Sequence, residues 1–114
     1  MVSNGALEVE VVAERTADAY AFTLRAAGNG LAYRVAPERD PSQPRFWCVV
    51  VYRCLPGGLP DANAGIWVGP GGLRREDLKE TLGAIRADPA GWLAEPARDE
   101  LRAWMLAPAA PAGG

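Results

Sequence analysis

The sequence predicts an α+β fold, with an antiparallel sheet of about five strands over residues ~7–68 and two or three helices over ~73–106 packed on one face. Apolar and polar residues alternate with a period of two in the first half of the chain. After the glycine-rich stretch at 69–72, apolar residues instead recur every three to four positions. No repeat or linker divides the chain, so we expect one domain over residues 1–106 and a disordered tail over 107–114.

The first three strands follow from the alternation of apolar and polar residues. The side chains predicted to face the core are Leu7, Val9 and Val11 in the first strand, Tyr20, Phe22 and Leu24 in the second, and Leu31, Tyr33 and Val35 in the third. The stretch Ala27–Gly30 predicts a tight turn between the second and third strands, because Asn and Gly tolerate the positive φ that such turns require.

The fourth and fifth strands are separated by segments that resemble loops. Three prolines between residues 36 and 44 predict a loop, since proline cannot donate a hydrogen bond to a sheet. The fourth strand then runs from Arg45 to Cys54, a second loop covers 55–65, and Ile66–Val68 form a short fifth strand. In the fourth strand we expect Phe46, Cys48, Val50, Tyr52 and Cys54 to face the core, with Arg45, Trp47, Val49, Val51 and Arg53 on the opposite face.

Apolar residues spaced by three or four positions mark the predicted helices. The first helix carries Leu78, Leu82 and Ile85 on one stripe, with charged residues on its other sides. Asp88-Pro89 and Glu95-Pro96 predict the starts of two further helices, because an acceptor side chain followed by proline favours helix initiation. The apolar stripe of the last helix comprises Ala97, Leu101, Trp104 and Met105.

The residue types that the chain lacks argue against common catalytic arrangements. It contains no histidine and only two serines, Ser3 and Ser42, so neither a Ser-His-Asp nor a Cys-His arrangement can form. The net charge of −2 leaves no basic excess for nucleic acid, and no segment reaches the ~20 apolar residues of a membrane span. We therefore expect a cytoplasmic protein without a cofactor that binds neither nucleic acid nor a membrane, and we favour a non-catalytic role. Eleven Arg against one Lys favours a GC-rich bacterial genome.

The two cysteines, Cys48 and Cys54, do not predict a redox or metal site. On a straight strand their separation of six residues corresponds to about 20 Å, whereas a disulfide needs Cα atoms within about 7 Å. Without histidine, a set of four Cys and His ligands cannot be assembled. Arg45 and Arg53 lie on the opposite face of the strand and so would not activate the thiols. We predict that both cysteines pack as small apolar groups.

One face of the fourth strand is a candidate interface, because its apolar centre is bracketed by two arginines. Apolar patches rimmed by Arg are typical of surfaces that bind a partner. The candidate residues are Arg45, Trp47, Val49, Val51 and Arg53. The alternative is that the chain itself covers this face, through the loop at 56–65 or through a C-terminal helix.

Two further candidate sites follow from the predicted packing. A pocket between the sheet and the C-terminal helices would bind an aromatic or anionic small molecule, with Tyr20, Phe22, Tyr52 and Trp104 as lining. The glycine-rich turn before the first helix would hold an anion, although it lacks the Lys-Ser/Thr ending of a phosphate-binding loop. The residues of this second site are Gly71, Gly72, Arg74 and Arg75.

The leading hypothesis from the sequence is a small accessory or interaction protein. It would act through a homodimer or a partner interface on the sheet. The alternative is a carrier or a simple enzyme that binds a small molecule between the sheet and the C-terminal helices.

Overall fold

A computed structural model describes residues 10–16, 20–68 and 71–107 of the chain. In these residues five strands form one antiparallel sheet, in which each strand pairs with the next along the chain. The strands are β1 (Val11–Arg15), β2 (Phe22–Ala26), β3 (Ala32–Arg39), β4 (Trp47–Cys54) and β5 (Pro60–Trp67). The helices are α1 (Leu78–Ala87), α2 (Pro89–Leu93) and α3 (Asp99–Leu106), with 3₁₀ turns at Arg75–Asp77 and Pro96–Arg98. The predicted α+β fold is confirmed, while the predicted inward residues Leu7 and Val9 and the predicted tail from 108 onward lie outside the described residues.

The helices pack on one face of the sheet, here called the inner face, and the hydrophobic core lies between the two layers. The predicted stripe of α1 is confirmed, since Leu78, Leu82 and Ile85 are buried. The core residues of the sheet are Phe22, Leu24, Ala26, Tyr33, Val35, Val49 and Val51, and those of the helices are Leu82, Ile85, Trp92, Leu93, Leu101 and Met105. Removal of this apolar surface from water is the main force that holds the layers together.

The register between β3 and β4 assigns the side chains of β4 to their faces. Val51 lies opposite Val35, and residues directly opposite each other in an antiparallel pair point to the same side of the sheet. Because Val35 is a core residue, Val51 and Val49 also face the helices, and both are fully buried. The other side of the sheet, here called the outer face, carries Cys48, Val50, Tyr52 and Cys54.

The predicted facing of the fourth strand is therefore wrong, and its two faces are exchanged. The run from Cys48 to Tyr52 is apolar or aromatic at every position, so alternation does not distinguish one face from the other. Val50 is fully buried on the outer face, which explains why both sides of the strand are apolar. A shift of one residue moves every side chain of a strand to the opposite face, and only the register decides the outcome.

Two segments predicted as loops are strands. β3 continues through Pro37 to Arg39, and β5 begins at Pro60 rather than at Ile66. β2 begins at Phe22, opposite Val35, so the last residues of β3 pair with β4 alone, and in the described residues β5 is an edge strand. A strand that pairs on one side only leaves some of its N–H groups without a partner strand. Proline, which lacks an N–H, is therefore tolerated in these segments.

The predicted turn between β2 and β3 is confirmed, and Asn29 within it connects the sheet to the end of α3. The Nδ2 group of Asn29 donates to the Tyr33 hydroxyl (3.0 Å) and to the carbonyl oxygens of Trp104 (3.1 Å) and Ala107 (2.9 Å). Its Oδ1 accepts from the N–H of Leu31 at 2.9 Å. The last carbonyls of a helix have no partner within the helix, so Asn29 caps α3 from the sheet.

The starts of the two short helices agree with the acidic residue and proline that predicted them. The Asp88 side chain accepts from the N–H of Gly91 at 3.1 Å, which caps α2. The last helical segment begins at Pro96 as a 3₁₀ turn and continues as α3. Among the described residues, no helix combines the length and apolar character needed to cross a membrane.

Candidate functional site

The outer face of the sheet carries a hollow of about 600 Å³, here called the outer hollow. Most of its lining comes from β3, β4 and β5, and Tyr20 adds to it from the segment before β2. The strand residues that line it are Arg34, Ala36, Pro37, Glu38, Trp47, Tyr52, Pro60 and Ala62. The lining therefore comprises three aromatic residues, four small or cyclic apolar ones, one arginine and one glutamate.

A hydrogen bond from the Tyr52 hydroxyl to the Glu38 carboxylate spans part of the outer hollow. Along the β3–β4 ladder, the pair Ala36–Val50 lies between the positions of Tyr52 and Glu38. The two bonded side chains consequently extend over this pair. They share this face with Val50 and Ala36, which are buried although the described helices pack on the other face.

Gly65 makes room for the Tyr52 ring on the neighbouring strand. Gly65 lies opposite Tyr52 in the β4–β5 pair. A Cβ atom at position 65 would lie 2.6 Å from Cε1 of Tyr52, closer than carbon atoms approach each other in proteins. The lack of a side chain at Gly65 thus lets the ring lean over β5, where it forms a wall of the outer hollow.

Trp47, which also lines the outer hollow, is contacted by Arg39. The Arg39 guanidinium lies 5.0 Å from the centroid of the Trp47 ring, a cation–π contact. Its Nη1 donates to the carbonyl of Pro44 at 2.9 Å, which fixes the arginine in place. The backbone of Trp47 exchanges hydrogen bonds of 2.7 and 3.0 Å with Leu73. Trp47 is therefore covered in part by a cation of the same chain.

Tyr52 and the two cysteines on the outer face have raised pKa values, which favour their protonated forms. Burial and the hydrogen bond to Glu38 raise the pKa of Tyr52 to about 12. Burial, with the nearby charges of Asp40 and Glu38, raises the pKa of the Cys48 thiol, and burial also raises that of Cys54. Both cysteines are free thiols. The raised pKa values of the two thiols lower the fraction of thiolate, which is the nucleophilic form of cysteine.

The raised pKa of Tyr52 predicts a loss of stability at alkaline pH. The unfolded tyrosine releases its proton near pH 10 and the folded one near pH 12, so the stabilisation is complete below pH 10 and is lost as the pH rises towards 12. In Tyr52→Phe we expect this part of the decline in unfolding free energy to be absent. Denaturant unfolding from pH 9 to 11 measures the unfolding free energy, and tyrosinate absorbance measures the release of the tyrosine proton. Identical dependence of stability on pH in the wild type and in Tyr52→Phe would contradict the Tyr52–Glu38 bond.

The five predicted interface residues do not form one exposed surface. Val49 and Val51 are fully buried beneath the helices. The guanidinium of Arg53 lies 5.0 Å from the centroid of the Trp104 ring on α3. The two remaining residues are the half-buried Trp47 and the exposed Arg45, which precedes β4. The chain itself covers this face of the fourth strand, and it does so with the C-terminal helices rather than with the segment at 56–65.

The predicted pocket residues are divided between the two faces of the sheet. Phe22 is fully buried in the core, and Trp104 stacks on Tyr33 on the inner face, with ring centroids 6.3 Å apart. Tyr52 lies on the outer face, where it and Tyr20 line the outer hollow. The structure therefore does not bring the four residues together between the sheet and the helices.

The predicted anion site before α1 contains an acidic group of its own. All four predicted residues are exposed, namely Gly71, Gly72, Arg74 and Arg75. The Asp77 carboxylate accepts from the N–H of Arg74 at 3.0 Å. This carboxylate occupies one of the backbone donors that an external anion would use.

Glu38 and Ala62 are not among the predicted site residues, because both lie in segments predicted as loops. A signal for Glu38 was present, since the alternation of the third strand continues through Arg34, Ala36 and Glu38 on one face. Because Pro37 predicts a loop, the continuation of the strand was not recognised. Ala62 had no comparable signal, because its segment is rich in turn-forming residues.

The fold and the outer hollow define an α+β domain with a candidate binding site on the face of its sheet opposite the helices. No protein-family model matches the chain, and no curated protein or solved structure gives a significant match. In the parts of the chain that the structure describes, no three potential metal-ligating side chains come together.

Proposed function

We propose that the protein is a non-catalytic binding protein whose ligand is a small, largely apolar molecule held in the outer hollow. The observation that carries this proposal is the size and lining of the hollow. Small-molecule sites typically enclose roughly 300–1,000 Å³ and are lined mainly by apolar and aromatic side chains with a few polar groups. The volume of about 600 Å³ and the mainly apolar lining agree with that description.

Two charged residues would give the ligand its polar contacts. Arg34 lies beside Tyr52 in the β3–β4 ladder, and a guanidinium suits an anionic substituent. The Glu38 carboxylate accepts from Tyr52 and is the acidic group of the lining, so it suits a hydrogen-bond donor on the ligand. A planar molecule with one acidic group and one hydrogen-bond donor matches this chemistry.

The Ala62→Trp variant tests the proposed ligand site. Ala62 is exposed and lines the outer hollow, so an indole at this position occupies the space without entering the core. The probe is the dye anilinonaphthalene sulfonate, which is planar and apolar and carries one anionic group. We expect the wild type to bind it saturably, and the variant to bind it roughly tenfold more weakly because the pocket is filled. A fluorescence titration measures the affinity.

Asn63→Trp is the matched control for this experiment. Asn63 is the next residue of β5, is exposed and does not line the outer hollow. Its substitution by tryptophan adds the same ring to the same strand. Equal weakening of dye binding in the two variants, or dye binding by the wild type that does not saturate, would contradict the proposal.

A second candidate function is self-association, which the sequence also suggested, and the edge strand β5 favours it. Leu59, just before β5, is 71% exposed and Trp67 at its end is 50% exposed. We propose a second copy of the chain as the occupant, because equivalent edges of two copies can pair about a two-fold axis. Pro60 and Asp61 would confine this pairing to the half of β5 near Trp67. Light scattering tests it, and a monomeric mass at all accessible concentrations would exclude it.

A further inference from the structure

A smaller cavity of about 180 Å³, here called the basic cleft, lies between the end of β1 and one side of α1. Its lining residues are Arg15, Tyr20, Lys79, Leu82, Gly83 and Arg86. Three of these six side chains are cationic and none is acidic. The cleft therefore concentrates positive charge in a protein whose net charge is −2.

The geometry of α1 and β1 explains why these three cations meet. Lys79 and Arg86 are seven residues apart, which is about two helical turns or ~10 Å, so they project from the same side of α1. Gly83 lies between them, and a Cβ atom added there would meet nothing within 4 Å, which shows that the space between the two cations is open. Arg15 lies opposite the core residue Phe22 and therefore projects from the inner face of the sheet.

None of the three cations has an ion-pair partner among the described residues. Other arginines are paired with carboxylates, namely Arg25 with Glu14, Arg98 with Glu95 and Arg102 with Asp99. Three like charges around one small cavity repel one another, and an anion between them replaces this repulsion with attraction. The charge of the basic cleft is thus available to a ligand.

We propose that the basic cleft binds a phosphate group or another small oxyanion. Arg15 and Arg86 can each donate two hydrogen bonds to the oxygens of one anion, and Lys79 adds a point charge. A volume of about 180 Å³ suits a single oxyanion group rather than a large ligand. This site differs from the glycine-rich turn predicted from the sequence, where the Asp77 carboxylate binds a backbone donor. It also stands independently of the outer hollow, although Tyr20 borders both cavities.

Titration with inorganic phosphate at constant ionic strength tests the basic cleft. The proposal predicts saturable binding by calorimetry and a matching rise in the thermal unfolding temperature of the wild type. In Lys79→Gln and Arg86→Gln we expect an affinity roughly tenfold lower, because each variant loses a charged donor. Gly83→Glu places a carboxylate in the cleft and replaces glycine by a better helix former, so it should fold and bind no phosphate.

Arg74→Gln and Arg75→Gln are the matched controls, because they remove exposed cations at the start of the same helical segment. Their phosphate affinity should equal that of the wild type. Equal weakening in the controls and in Arg86→Gln would show that phosphate responds only to the overall charge of the protein and would overturn the proposal. The absence of saturable phosphate binding by the wild type would do the same.

Discussion

Val49→Glu is expected to unfold the protein. Val49 is fully buried between the sheet and the helices, in a cluster of apolar and aromatic core residues. An ionised carboxylate without a partner in such a position costs several kcal/mol. A small domain has a total stability of only about 5–15 kcal/mol, so most of the folded population should be lost. Circular dichroism and a urea denaturation curve measure this loss.

Trp67→Glu is the control variant, because it introduces the same negative charge at a half-exposed position of the same sheet. Trp67 is 50% exposed on the outer face, so we expect the variant to stay folded, with a stability within about 1 kcal/mol of the wild type. A folded Val49→Glu protein with a changed oligomer size would contradict the inner-face position of Val49. That result would restore the interface predicted from the sequence.

Asn29→Asp is expected to lower the free energy of unfolding by about 2–4 kcal/mol, because the substitution removes a donor and leaves several acceptors without it. A carboxylate oxygen would replace the Nδ2 group that bonds to Tyr33, Trp104 and Ala107. It would then face two carbonyl oxygens at the negative end of α3, where an added negative charge is unfavourable. The bond that Oδ1 accepts from Leu31 can persist, so the turn itself should still form. Urea denaturation measures the change.

Asn63→Asp makes the same chemical change at an exposed position on β5. We expect its unfolding free energy to differ from the wild-type value by no more than about 0.5 kcal/mol, as for most surface substitutions. An Asn29→Asp protein as stable as Asn63→Asp would show that the cap on α3 contributes little. Acidic pH should partly restore the stability of Asn29→Asp, since a protonated carboxyl group can donate again.

The strands and helices whose apolar residues recur at a regular spacing were predictable from the sequence. The buried residues Phe22 and Leu24 follow the strict alternation of β2, and the buried stripe of α1 follows the helical spacing. The facing of β4 was not predictable, because Val49 and Val50 are both fully buried on opposite sides of the sheet. A strand that is apolar on both faces contains no periodic signal, and only its pairing with a neighbour fixes its orientation.

The candidate sites were harder to predict than the fold, because they depend on contacts between distant segments. The outer hollow combines residues of three strands. Its Tyr52–Glu38 bond depends on a part of β3 that was predicted to be a loop because it contains Pro37. The basic cleft brings Arg15 beside α1, which follows more than sixty residues later. Neither arrangement has a local motif, so the sequence indicated the residue types without their positions.

The cap that Asn29 places on α3 has a consequence for the synthesis of the protein. Its acceptors at Trp104 and Ala107 lie 75 and 78 residues further along the chain. A ribosome therefore completes the whole sheet before it produces the helix that Asn29 binds. Until then, the valines and aromatic rings of the inner face are exposed on the nascent chain, and such surfaces recruit chaperones. We expect the nascent protein to be most prone to aggregation in this interval, and docking of α3 to end it.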